Sequence, residues 1–273
     1  MSLPDGALEQ VHAVEAGDAG DAYEAYMGRW SRLVAAHFVE WLDVPPGGVW
    51  LDVGCGTGAL ADAVARGAEP VAVTGVDRSP ELVAHATDRT ALPVVDFVEA
   101  DASDLPFADG IFDVVVSGLL LNVLPDPVAA LREQSRVAAS SGAVAAYVWD
   151  YAAGMSLLRY FWKVARSISP SAAALDEAVR FPKANPRGLE RLFEAAGMDP
   201  LETTSLEVEA VFAGFTEVWA PFERGQGAAP SFVAGLDELS RQSLRSGLEA
   251  ALPTADDGSI HLSARAWAIR ARP

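Results

Sequence analysis

The chain is nearly without cysteine. Cys55 is the only one in 273 residues, so an internal disulfide is excluded and no cysteine cluster can hold a metal. Histidine is scarce too. His12, His37, His85 and His261 stand far apart, in no metal-ligand spacing. Positive charge is in deficit: 20 Lys and Arg face 38 Asp and Glu, a formal net charge of −18. Such a surface repels phosphate backbones and anionic lipid, so neither nucleic acid nor membrane is an expected partner. No apolar run approaches the roughly 20 residues of a membrane-spanning helix. The acidic, Ala- and Gly-rich start lacks the basic and apolar regions of a secretory signal. These absences predict a soluble cytoplasmic protein, a monomer or homodimer, acting on a small molecule without a metal.

What is present is apolar material, 51% of the chain, enough for one large domain or a core with an added cap. Residues 1–22 read as a mobile leader and 23–273 as a single domain with cap insertions at about 151–184 and 213–258. Residues 27–42 read as an amphipathic helix, with Trp30, Leu33, Val34, Phe38, Trp41 and Leu42 on one face. Apolar strands then alternate with helices. Strands are expected at 49–53, 71–76, 94–99, 112–116 and 143–149, with helices at 59–65, after Ser79-Pro80, and at 127–137. Continuous apolar strands alternating with helices predict an α/β fold, a doubly wound parallel sheet covered on both faces. Later, Asn185-Pro186 opens a helix that Gly197 ends. Alternation at Leu206, Val208, Ala210 and Phe212 predicts a strand, and 262–270 a last one. These two closing strands suggest an antiparallel edge.

The segment Leu51-Asp52-Val53-Gly54-Cys55-Gly56-Thr57-Gly58 joins the first strand to a helix. Glycines there allow a tight turn and close approach to a ligand. Alone, the loop also satisfies a loose dinucleotide-binding pattern. Its partners narrow the choice. Asp77 ends the second strand, 21 residues beyond Gly56, near the spacing of an acid that holds a ribose. Asp101 ends the third strand and is placed to accept from the exocyclic amine of an attached base, while the Ala102 amide donates to a ring nitrogen. Asp52 opposes a phosphate but suits a cationic ligand. That favours S-adenosylmethionine, a sulfonium, over NAD.

The run Leu51–Gly58, with Asp77, Asp101 and Phe112-Asp113-Val114-Val115-Val116, resembles the class I S-adenosylmethionine-dependent methyltransferases. The branch resembled includes the ubiquinone/menaquinone-biosynthesis-type enzymes. The resemblance covers about residues 23–150. It implies a seven-stranded, mostly parallel sheet with an antiparallel last strand. It also implies S-adenosylmethionine as cofactor and S-adenosylhomocysteine as product. The backbone of Gly54, Cys55 and Gly56 would line the methionine and ribose, Asp77 with Arg78 beside it the ribose, Asp101 and Ala102 the adenine, and Ser117 the methionine amino group. Tyr26-Met27-Gly28-Arg29-Trp30-Ser31 also looks like the start of this branch. There Arg29 would pair with the cofactor carboxylate, or else be an exposed helix charge. The family pattern of a histidine pair before Val-Pro-Asp is absent. Asn122 occupies that stretch and cannot serve as a base.

Methyl transfer needs alignment of donor and acceptor more than a catalytic constellation. Asp150, ending the fifth strand, is the candidate base or substrate contact, its alternative being a helix cap. Tyr26, Asn122, Trp149, Tyr151 and Trp162 are candidates for an acceptor pocket, the alternative being core packing. Two other functions stay open: an NAD-dependent oxidoreductase, and a non-catalytic protein that only binds S-adenosylmethionine.

Overall fold

The computed structural model describes residues 21, 24–224 and 227–273. Most of the expected leader lies outside them. A π-helical turn, Glu24–Gly28, leads into α1 (Arg29–Leu42). Then follow β1 (Val49–Val53), α2 (Ala59–Gly67), β2 (Ala72–Asp77), α3 (Pro80–Arg89), β3 (Val95–Glu99), β4 (Phe112–Gly118), α4 (Pro127–Val137) and β5 (Ala138–Trp149). After these come α5 (Ser156–Ile168), a 3₁₀ turn (Pro170–Ala174), the single-turn α6 (Glu177–Arg180), α7 (Pro186–Ala196) and β6 (Asp199–Phe212). The chain closes with α8 (Phe215–Arg224), α9 (Ala228–Ala234), α10 (Glu238–Ala251) and β7 (Ile260–Arg272).

The seven strands form one sheet in the order β3-β2-β1-β4-β5-β7-β6. Strands β1 to β5 pair in parallel, and β7 runs antiparallel to β5. The sheet is thus doubly wound, with β1 and β4 flanking the point where strand order reverses. Ligands bind at such a point, beyond the carboxyl ends of the strands. The two closing strands form the expected antiparallel edge, with β7 inside and β6 at the rim.

The chain divides into two compact units. The sheet unit comprises Trp30–Asp150, Lys183–Val208 and Arg265–Pro273. Its core is the row of Val, Leu and Ala on β1, β4, β5 and β7, including Leu51, Val115, Val116, Ala145 and Ile269, all buried. Burying each larger one is worth about 1.5–3 kcal/mol. Helix α1 buries Trp30, Val34, Phe38 and Leu42. Leu33, expected on that face, is 38% exposed, because the stripe is narrower than the sequence suggests. Helix ends follow local chemistry: the Ser79 and Asn185 side chains accept from the Leu82 and Gly188 amides, and Gly197 takes φ 93° to end α7.

The helical unit comprises the described residues up to Arg29, and those of Tyr151–Pro182 and Glu209–Ala264. It draws on the two stretches the sequence marks as cap segments. Its centre is aromatic. Phe161 stacks on Phe222 at 4.6 Å and meets Trp162 edge-on at 4.9 Å. Such pairs add about 0.5–1.5 kcal/mol each beyond their buried area.

Candidate functional site

In the sheet unit, the predicted residues gather at the carboxyl ends of parallel strands. Asp52 lies in β1, Asp77 ends β2, Asp101 and Ala102 follow β3, and Ser117 lies in β4. The loop after β1 is tied to β2 by backbone bonds. The Gly54 and Cys55 amides donate to the Val76 carbonyl at 2.8 and 2.9 Å. Gly54 and Gly56 take φ +73° and +54°, conformations that favour glycine. A Cβ on Gly54 would meet Leu120 Cδ1 at 2.6 Å, whereas one on Gly56 would meet nothing within 4 Å. The loop therefore presents bare backbone at Gly56.

Asp77 braces this loop. Its Oδ2 accepts from the Gly56 amide and its Oδ1 from the Ser79 amide, both at 3.0 Å. An ionised carboxylate has about four acceptor positions, so two bonds leave capacity for more. Asp101 Oδ1 accepts from the Ser103 amide at 2.8 Å and from the Ser103 hydroxyl at 2.6 Å. These bonds hold its carboxyl below the usual carboxylate range, with a smaller contribution from the positive charge of Arg78. Arg78 is exposed.

Three side chains at this edge bury polar atoms that have no hydrogen-bond partner among the described residues. They are both oxygens of Asp52, the Ser117 hydroxyl, and the Asn122 amide oxygen and nitrogen. Buried polar atoms are normally paired, so each such group calls for an explanation. Burial pushes the Asp52 carboxyl up to about 7; the nearby Ala61 amide, which makes no formed hydrogen bond to it, offsets part of this and the charge of Asp77 adds to it. Cys55 is buried, and burial followed by the charges of Asp52 and Asp77 raises its thiol far above the usual range. A thiol raised in this way is a poor nucleophile. The bare loop and three unsatisfied polar groups fit a bound molecule with both polar and cationic parts.

Other predicted residues are engaged differently. Asp150 is buried, and its Oδ2 accepts from Arg265 Nε at 2.9 Å and Nη2 at 2.6 Å. It ties the end of β5 to β7, a role other than the base, substrate contact or helix cap considered from the sequence. Trp149 is buried beside it in β5. Four predicted residues lie in the helical unit. Arg29 donates to Glu217 and to the Val211 carbonyl, and its guanidinium lies 4.6 Å over the Phe212 ring. That is a tie within the unit, at a residue the sequence left between a cofactor contact and an exposed helix charge. Trp162 is fully buried and donates to Glu177 Oε2 at 2.6 Å, so it is core, not pocket wall. Tyr151 is half-buried against Phe181, centroids 5.4 Å apart. Tyr26 is buried edge-on to Phe222 at 5.6 Å. Glu177 was not anticipated. It sits in an Ala-rich stretch whose spacing carries no signal.

Comparison with known proteins bears on the central part of the sheet unit. Residues 51–146 match the methyltransferase domain family. This stretch resembles the methyltransferase domain family. It contains the glycine loop, Asp77, Asp101, Ser117 and Asn122. The chain is 36% identical over 160 residues to the 2-phytyl-1,4-naphtoquinone methyltransferase of Synechococcus elongatus, a match covering 56% of this chain and 66% of that protein. It is 35% identical over 111 residues to the demethylmenaquinone methyltransferase of Bacillus licheniformis, covering 39% and 47%. The matches thus span just under two thirds of the first relative and about half of the second. The solved structure of the YcgJ protein of Bacillus subtilis shares the fold, with TM-score 0.53, 17% identity, and coverage of 87% of this chain and 97% of that one. The glycine loop thus lies within the matched stretch, while the residues after 146 lie beyond it. Among the described residues, no group of three or more His, Cys, Asp or Glu could hold a metal, and no helix is long and apolar enough to cross a membrane.

Proposed function

We propose that this protein transfers a methyl group from S-adenosylmethionine to a small-molecule acceptor. The observation that carries the reading is the set of buried, unpartnered Asp52, Ser117 and Asn122 groups beside the glycine loop. The methyltransferase match over residues 51–146 supports it. When bound, S-adenosylmethionine supplies an electrophilic methyl group on a sulfonium. Asp77 accepts from the ribose hydroxyls with the acceptor capacity left after bracing Gly56 and Ser79. Asp101 and the Ala102 amide take the adenine edge. The Gly54–Gly56 backbone lies along the methionine and ribose part, and Ser117 serves its amino end. Asp52 contributes negative potential behind the loop, which favours a cation over a pyrophosphate. Chemistry then rests on alignment and exclusion of water, and the curated relatives' names point to a quinone-like or other planar acceptor.

Calorimetric titration tests the reading. Saturable heat with S-adenosylmethionine and S-adenosylhomocysteine, and none with NAD, is expected. Heat with NAD alone would instead assign the loop to an oxidoreductase. Methyl transfer to no member of a small-molecule panel, despite tight cofactor binding, would leave a binding protein.

A further inference from the structure

The chain carries 38 acids against 20 cations, yet one stretch of the helical unit reverses that sign. Between Tyr151 and Pro182 the cations are Arg159, Lys163, Arg166 and Arg180, and the acids are Asp176 and Glu177 alone. Both acids are buried, at 1% and 7% exposure. Lys163, Arg166 and Arg180 are exposed and Arg159 is half-buried. This stretch therefore shows cations to solvent and keeps its acids inside.

Local geometry gathers the four cations into one patch. Arg159, Lys163 and Arg166 stand at i, i+4 and i+7 on α5, a spacing that shares one helix face. Arg159 and Arg166 both donate to Asp176, the second at 2.8 Å. Asp176 also caps α6 through the Ala178 amide at 3.0 Å, and Arg180 ends that single turn. Glu177 faces inward, where its Oε2 accepts from Trp162 at 2.6 Å. Helix α10 meets α5 at Val164, where a Cβ on Gly247 would stand 2.7 Å away. Val164 lies more than a quarter turn from each of the three α5 cations, so this packing leaves the basic face open.

An apolar side chain sits among these cations. Val179, in α6, is 61% exposed. Beside it the Arg180 guanidinium lies 5.1 Å over the ring of half-buried Phe181. An exposed valine flanked by long cationic side chains suits a membrane interface. The cations reach headgroup phosphates while the apolar residue meets the acyl boundary. Asp176 already fixes two of the guanidiniums. A folded acidic partner must match its carboxylates to those fixed positions, whereas fluid anionic lipids rearrange around the cations as they stand.

We propose that the α5–α6 face of the helical unit is a docking surface for an anionic lipid bilayer. Attachment is peripheral and electrostatic. The same bilayer repels the acidic remainder of the chain, so binding is weak and oriented. Screening over about 10 Å at 0.1 M salt confines the interaction to the face nearest the lipid. The average charge of the chain predicts repulsion, and the local arrangement supplies the attraction.

Co-sedimentation of the full chain with vesicles tests this. Mixed phosphatidylglycerol and phosphatidylcholine vesicles should retain the chain at about 50 mM salt, and at least fivefold less of it at about 500 mM. Phosphatidylcholine vesicles should retain at least fivefold less at the lower salt. The double variant Lys163→Glu, Arg180→Glu should partition onto the mixed vesicles at least tenfold less, and Val179→Ser two- to threefold less. All three positions are exposed, and thermal melts should stay within about 2 °C of wild type, which confirms folding. No retention by the mixed vesicles, equal retention by both kinds, or retention that survives the double charge reversal would overturn the proposal. Retention by immobilised polyglutamate without retention by the mixed vesicles would also overturn it, and would assign the face to an acidic protein.

Discussion

The two units hold their polar groups in opposite ways. In the sheet unit, Asp52, Asp77, Asp101 and Ser117 come from strand tips, and much of the site is backbone. In the helical unit, Asp176, Glu177 and their cationic neighbours come from α5 and the turn of α6, and each is set by side-chain pairing. Parallel strand ends share an edge by topology, so the first arrangement follows from fold alone. The second depends on particular partners such as Asp176 with Arg159 and Arg166. A scaffold site tolerates change around it, whereas a side-chain cluster fails when one tie is cut.

The largest effect should therefore come from cutting such a tie. Asp176→Ala strands two guanidiniums and uncaps α6. Unfolding in urea should show a loss of about 2–4 kcal/mol, less than for a deeply buried pair because both arginines reach solvent. Burial works to raise the Asp176 carboxyl, but Arg159, the Ala178 amide and Arg166 overcome it and leave it below its usual range. Its stabilisation is present above about pH 4 and lost as pH falls through the depressed value. A loss below 0.5 kcal/mol would show that α6 does not depend on the cluster.

Next is Asp77→Ala, on the scaffold side. Calorimetry should show S-adenosylhomocysteine binding weakened by about 1–3 kcal/mol, with the fold intact. Unchanged affinity would remove Asp77 from the site.

Asp52 gives a pH signature. Its carboxyl rises from 3.8 to about 7 in the folded protein. Between those values the folded chain holds a proton the unfolded chain has lost, so stability should fall as pH rises from about 4 to 7 and then level. Thermal melts of Asp52→Asn should lose that component. A bound cation favours the ionised form, so S-adenosylmethionine affinity should rise severalfold from pH 6 to 8, and S-adenosylhomocysteine affinity by less. Identical pH profiles would deny Asp52 any electrostatic part.

The smallest effect is expected at Arg29→Ala. Arg29 and Glu217 are 41% and 39% exposed, so the pair is worth under about 1 kcal/mol. A slight drop in Tm with unchanged S-adenosylhomocysteine affinity fits a tie within the helical unit. A tenfold loss of affinity would restore Arg29 to the cofactor.

Legibility in the sequence divides along the same line. The parallel sheet was readable because its strands are continuously apolar and its helices carry caps at Ser79 and Asn185. The cofactor candidates were readable because the glycine loop and two strand-end acids have characteristic spacing. β5 was expected from Ala143 yet starts at Ala138, because Ser140-Ser141-Gly142 imitates a turn. There the register against β4 shifts between Phe112 and Val114. A Cβ on Gly142 would stand 2.6 Å from the Asp113 carbonyl, a close approach only glycine permits. β6 begins at Asp199, ahead of its alternating part, because a rim strand buries little there. Glu177, and the engagement of Arg29, Asp150 and Trp162 with other side chains, left no pattern, since tertiary pairing has no local period.

The most direct measurement is a crystal structure grown with S-adenosylhomocysteine. The account predicts the ligand along the Gly54–Gly56 backbone, with its ribose hydroxyls within hydrogen-bonding distance of the Asp77 carboxylate. Density at another edge of the sheet, or none at millimolar ligand, would contradict it.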